Sequence, residues 1–365
     1  MNCPEDPKLF DDNDTTIIFV LTGLTKFRSL YGLFHPYISF CLCIFGFIAN
    51  SIHIWVLTRP RMIVSSVHTV LICIALADIG TMSSYTLYLL RYEFNRIPDN
   101  GYPYIWVMFL MAHVVVSIAL HAISLYLVVL MAFIRVRSIQ ARSTAACIFF
   151  FIFVLCIPTF LAHEIHEQSD NNSLDWKNKL SRTDRPETAK KYIIGFSGMV
   201  LQNNCALLKI NLWLTGIVLK VVPCVLLSGL TILLLLKLQQ NKRKRARLLG
   251  MKNEKGKENG PTDRTTYMLL LMVSVFLATE LPQGVIAILN AIFTSQFHLF
   301  IYLTLADVLD LLSLINCYVG FTVYFCTCSK YRNTLYSLLP SKWYKIHLSH
   351  NFLINQAFNK FCLRE

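Results

Sequence analysis

Charge is scarce in this chain: only 15% of its 365 residues are Asp, Glu, Lys or Arg, against 55% hydrophobic. An ordinary soluble domain carries about 25% charged residues to solvate its surface, so the deficit argues against one. Pairs spaced Cys-x-x-Cys are absent, which removes the usual sequence signature of a zinc site despite 12 cysteines. Cys41, Cys43, Cys73, Cys147, Cys156, Cys224 and Cys317 lie inside apolar runs instead, where free cysteine behaves as a small hydrophobe. There is no His-Glu-x-x-His run and no serine–histidine arrangement, so an enzyme is not expected. The residues ahead of the first apolar run lack the basic cluster of a cleavable signal peptide. They are acidic, at Glu5, Asp6, Asp11, Asp12 and Asp14, and the first apolar run is expected to direct insertion itself.

What the chain has in quantity is long apolar sequence. A bilayer core of about 30 Å is crossed by about 20 apolar residues in a helix. Seven stretches qualify, at 33–57, 66–91, 104–134, 144–163, 208–237, 266–292 and 299–326. The expected fold is an all-α membrane protein, a bundle of seven transmembrane helices over 33–326. A segment 1–32 precedes it, and a tail 327–365 with a short amphipathic helix follows. Two connections are long: 164–207, and the basic loop 238–265. The halves share no evident repeat and seven does not divide evenly, which weighs against a transporter.

The net charge of +13 is unevenly placed. Lys and Arg gather after the first, third and fifth spans and in the tail, as in Lys242-Arg243-Lys244-Arg245-Ala246-Arg247. By the positive-inside rule these loops are cytoplasmic, with the N-terminus outside. The basic runs are then topology signals and contacts for membrane lipids, and nucleic acid is not an expected partner. Two glycosylation sequons, at Asn13 and Asn171, fall on the side assigned to the exterior. Cys326 and Cys328 follow the seventh span, where juxtamembrane cysteines are candidates for palmitoylation.

Polar residues at mid-membrane depth mark function or helix–helix bonding. On the third span, residues four apart advance by roughly 40°, so His113, Ser117, His121 and Ser124 form one stripe facing the bundle. It is either a ligand-cavity wall or interhelical hydrogen bonding. Asp310, Glu280 and Gln283 give the interior acidic and polar character, while Asp307 reads as a solvated helix end.

Asn50, the run Leu76-Ala77-Asp78, Arg135, Pro223 and Pro282 resemble, in order, the landmark residues of the rhodopsin-like receptor superfamily. The resemblance narrows with Phe109-x-x-x-His113-x-x-x-Ser117-x-x-x-His121-x-x-Ser124, Asp263-Arg264-Thr265-Thr266, Thr279-Glu280-Leu281-Pro282-Gln283-Gly284 and the run Asp310–Asn316. These look like invertebrate myosuppressin and FMRFamide-type neuropeptide receptors, which grade into the nematode class w serpentine receptors. The resemblance implies a multi-pass plasma-membrane receptor without a cofactor, passing an extracellular amidated-peptide signal to a heterotrimeric G protein. It implies ligand contacts at His113, Ser117, His121, Glu280, Gln283 and Asp310, and coupling through Arg135 and Tyr324. It also implies an ion pocket at Asp78, Ser124 and Asn316, where a sodium ion or a proton would answer the buried carboxylate. Small-molecule chemosensation on the same fold is the alternative.

The chain departs from the superfamily pattern at several places. Ile134 stands where an acid usually precedes Arg135, and Glu280 where many relatives have tryptophan. The helix-seven motif reads Gly320-Phe321-Thr322-Val323-Tyr324 and keeps only the tyrosine. Leu110 stands at the usual helix-three cysteine position, leaving Cys205 without its customary partner and Cys3 as the obvious alternative.

Overall fold

The computed structural model describes residues 7–11, 14–60, 62–63, 65–96, 101–136, 140–167, 191–202, 205–248 and 261–338. Seven of its helices are long and apolar enough to cross a bilayer. They are α1 (Thr15–Leu57), α2 (Ser66–Phe94), α3 (Tyr104–Val136), α4 (Ala141–Leu161), α5 (Ala206–Lys237), α6 (Pro261–Ile292) and α7 (His298–Thr327). A shorter helix, α8 (Ser329–Leu338), follows. The chain is a multi-pass membrane protein.

Helix α1 begins at Thr15, far ahead of the expected residue 33. Asp14 caps it, its carboxylate accepting from the Thr16 amide at 2.8 Å, and the apolar run from Ile17 to Leu24 continues the helix without a proline. At 1.5 Å per residue α1 is about 64 Å long, roughly twice the bilayer core. Ahead of it the chain folds onto the α6–α7 turn, where Gln296 Oε1 accepts from the Leu9 amide at 2.8 Å and Phe10 meets the Phe300 ring.

Helix α5 is helical past its apolar part to Leu248, so the basic block expected in a loop extends this helix. Its turn Leu214–Val221 is a π-helix. Pro223 follows, and a proline clashes with the carbonyl four residues earlier; a widened turn there accommodates the ring. Gly216, on that turn, lets α5 approach α6. A Cβ on it would stand 3.2 Å from the Ala287 carbonyl oxygen and 3.3 Å from the Ala287 Cβ.

The apolar core runs between the helices through Leu71, Ile123, Met131, Phe276 and Tyr331, all buried. The seven-helix expectation is met with one addition. In the long connection after α4, β1 (His163–Glu167) pairs antiparallel with β2 (Tyr192–Phe196), and Tyr102 before α3 bridges to Tyr192. Cys205, close behind this hairpin, is disulfide-bonded. The other described cysteines are free, so its partner, for which the sequence suggested Cys3, lies outside the described residues. Asn13 and Asn171 lie outside them as well.

Candidate functional site

The third-helix stripe faces inward as its spacing predicts, and the bundle answers it in layers. At the hairpin end, His113 is buried between rings, stacked on Tyr88 at 5.1 Å and on Phe109 at 6.0 Å. It is hydrogen-bonded to Ser117 at 3.2 Å, and Ser117 lies 3.5 Å from Ser84 on α2. His113 thus forms an aromatic wall behind Ser117.

Asp310 on α7 accepts a hydrogen bond from the Tyr85 hydroxyl at 3.2 Å, and Tyr85 is in turn hydrogen-bonded to His35 of α1 at 3.2 Å. Asp310 is exposed, yet it holds the Tyr85 hydroxyl of α2 and has Lys220, His121 and the Tyr302 phenol around it. Its exposure is therefore to space inside the bundle. Asp307, read from sequence as a solvated helix end, is half-buried with its carboxylate beside Gly32 of α1.

The next layer contains a residue that the sequence reading missed. Lys220, on the π turn of α5, donates from Nζ to Gln283 Oε1 at 2.9 Å. Ser313 of α7 donates to the same oxygen at 3.1 Å, while Gln283 Nε2 donates to Glu280 Oε1 at 3.3 Å and to the Thr279 carbonyl at 3.2 Å. Below lies Glu280, 1% exposed. His121 Nε2 of α3 approaches its Oε1 to 3.1 Å, an ion-pair distance off the line of a hydrogen bond. Asn316 Nδ2 of α7 donates to the same oxygen, and Asn316 Oδ1 accepts from the Thr279 hydroxyl. Glu280 Oε2 is buried and has no hydrogen-bond partner among the described residues. An isolated buried carboxylate costs a great deal of free energy; here an imidazole, two amides and the nearby Lys220 ammonium offset that cost.

Asp78 stands deeper still. Ser124 donates to its Oδ1 at 2.7 Å, and the Cys317 thiol, which donates to the Ser313 carbonyl at 3.4 Å, lies beside it. Asn50 of α1 ties in by donating to the Cys317 carbonyl at 2.7 Å. Of the expected ion-pocket trio, Ser124 is bonded to Asp78, while Asn316 is bonded to Glu280 and Thr279. Consecutive helical residues point about 100° apart, so Cys317 faces Asp78 while Asn316 faces α6. Two oxygen-bearing side chains, Asp78 and Ser124, remain for a cation. Among the described residues no cluster of three or more His, Cys, Asp or Glu is arranged for a metal.

At the opposite end of α3, Arg135 belongs to the last turn, but its side chain lies outside the described residues. Tyr324 is buried edge-on against His53, His68 and Tyr331. Helix α8 is held to α7 by Arg332, whose guanidinium donates to the Cys326 and Phe325 carbonyls at 2.7 and 3.2 Å. It is held to α1 by the Tyr331 hydroxyl, bonded to His53 at 3.0 Å, and burial there pushes the Tyr331 phenol above its ordinary pKa. Cys326 is an exposed free thiol and Cys328 a half-buried one.

Seven membrane-length helices around a layered polar interior, closed at one end by a hairpin, are the make-up of a membrane receptor of the seven-helix class. A family model described as serpentine type 7TM GPCR chemoreceptor Srw matches residues 37–342. The chain is 31% identical over 372 residues to the G-protein coupled receptor dmsr-1 of Caenorhabditis elegans, covering 87% of this chain and 71% of that protein. The chain belongs to the Srw family of serpentine G-protein coupled receptors. It is a receptor and not an enzyme.

Proposed function

We propose that this receptor sits in the plasma membrane with its N-terminus outside and couples an extracellular peptide ending in Arg-Phe-amide to a heterotrimeric G protein. The observation that carries the ligand assignment is Asp310. Its carboxylate is open to the bundle interior and holds one tyrosine hydroxyl, leaving lone pairs for a guanidinium. Ser117, His121, Gln283 and Glu280 follow it deeper in the bundle interior, with His113 beside Ser117. Arg135 and Tyr324 serve the G-protein end, the glycosylation of Asn13 and Asn171 the outer face, and palmitoylation of Cys326 and Cys328 would anchor α8 to lipid. A sodium ion held by Asp78 and Ser124, with water completing its shell, belongs to the same proposal; sodium should then alter agonist affinity in the native receptor and not in Asp78→Asn.

Binding of a labelled panel of amidated peptides to cells expressing the full chain tests the ligand assignment. Saturable binding by Arg-Phe-amide members, competed by unlabelled peptide, is expected. The family's description as chemoreceptors supports a second reading, a small-molecule ligand. Silence across the peptide panel, with a response to volatile or polar small molecules, would favour it.

A further inference from the structure

Gln283 shows what the polar floor of the bundle binds. Its side chain is a primary carboxamide whose carbonyl oxygen takes the Lys220 ammonium at 2.9 Å and whose nitrogen donates to Glu280 at 3.3 Å. Lysine can only donate and a carboxylate can only accept, so the amide between them has one possible orientation. Both flanking groups have valences to spare. Lys220 is half-buried and one of its three N–H donors is placed, while Glu280 Oε2 is buried without a hydrogen-bond partner among the described residues. A buried orphan of this kind calls for an absent partner, and here the partner must donate.

We propose that Lys220 and Glu280 together read the C-terminal carboxamide of the peptide ligand, making them the residues that distinguish an amidated peptide from its free acid. The inference rests on the functional reading above and deepens it. The ligand's terminal carbonyl accepts from the free donors of Lys220, and its terminal NH2 donates to Glu280 Oε2, repeating the pattern that Gln283 sets. A free carboxylate satisfies only half of this. It accepts from Lys220, but it has no hydrogen for Oε2 and brings a second negative charge beside Glu280. The site's two charges cancel, so it suits a strongly dipolar neutral group better than an ion. Asp310 lies one helical turn nearer the hairpin end than Ser313, which is bonded to Gln283. A peptide entering carboxamide-first therefore keeps its arginine at the level of Asp310.

The test uses the full-length receptor in cells, surface expression matched, and three peptides identical except at the C-terminus. One ends in phenylalanine amide, one in free phenylalanine, and one in a phenethylamide that lacks the terminal carboxamide. The native receptor is expected to bind the amide at least about 100-fold more tightly than the acid. Glu280→Gln, which can donate as well as accept, should shrink that ratio by about tenfold or more. Lys220→Met should weaken the amide by about tenfold or more while leaving the phenethylamide within about threefold. A merely structural role for either residue would shift all three peptides alike, and that result, or equal native affinity for amide and acid, overturns the inference. Failure of every peptide to bind the native receptor would instead overturn the functional reading on which it stands.

Discussion

His121 reaches from α3 to within 3.1 Å of Glu280 on α6, and Asn316 completes the contact from α7. Taking away a group that faces a buried carboxylate leaves that carboxylate less well answered, at a typical cost of about 1–3 kcal/mol. His121→Ala should therefore lower the thermal stability of the purified receptor markedly more than Ser117→Ala, measured by the same melting assay. Equal melting of the two variants would mean that the imidazole does not answer the charge. Asp310→Asn should weaken an Arg-Phe-amide peptide by about thirtyfold or more, from about 2–5 kcal/mol at roughly 1.4 kcal/mol per tenfold. It should spare an analogue whose arginine is replaced by a neutral residue. Loss of both peptides alike would make Asp310 structural. The third-helix stripe was legible because a single helix period fixes which residues share a face. The partner of Glu280 was not, since no spacing within one helix says which neighbouring helix will present a histidine to it.

Helix α5 shows the same limit for an element. Lys220 is one cation in a long apolar run, and averaged hydropathy hides it. Its direction depends on the π turn ahead of Pro223, which shifts the helical phase that a uniform 3.6-residue period assumes. Gly216 on that turn marks a close approach of α5 to α6, and a branched side chain there must push them apart. Gly216→Val should lower the melting temperature and reduce peptide binding together, whereas Gly229→Val, at a position open for a Cβ, should do neither. Retained binding in Gly216→Val would show that the Lys220–Gln283 contact tolerates helix separation. The hairpin β1–β2 escaped the sequence reading because His163-Glu164-Ile165-His166-Glu167 carries no apolar alternation, and its pairing depends on a strand more than twenty residues away. The early start of α1 was legible in principle, since Asp14 followed by the apolar stretch from Ile17 to Leu21 is a helix start; Lys26 and Arg28, between that stretch and the expected span, obscured it.

For the whole molecule, seven spans could be read from length and apolarity alone, and the family match over residues 37–342 agrees with them. Orientation rests on the basic residues, and it sets a separate test. A protease applied to intact cells should cut within 165–190 and spare 241–262 until the membrane is opened; the reverse pattern would invert the receptor. The departure at Ile134 bears on signalling, because no carboxylate precedes Arg135 to hold it at rest. Ile134→Asp should therefore reduce ligand-independent signalling, measured as basal second-messenger output at matched expression, and an unchanged baseline would count against that link. A ligand shifts such a bundle only by binding one arrangement more tightly than another, and the layers from Asp310 through Glu280 to Asp78 lie between the hairpin end and the end that carries Arg135. The most direct measurement of that connection is nucleotide exchange on purified heterotrimeric G proteins, catalysed by the receptor in lipid nanodiscs with and without an Arg-Phe-amide peptide. The account predicts that peptide accelerates exchange by the native chain, and that Arg135→Ala binds the peptide yet leaves exchange at the unstimulated rate. Peptide bound to the native receptor with no acceleration for any G protein, or full acceleration by Arg135→Ala, would contradict it.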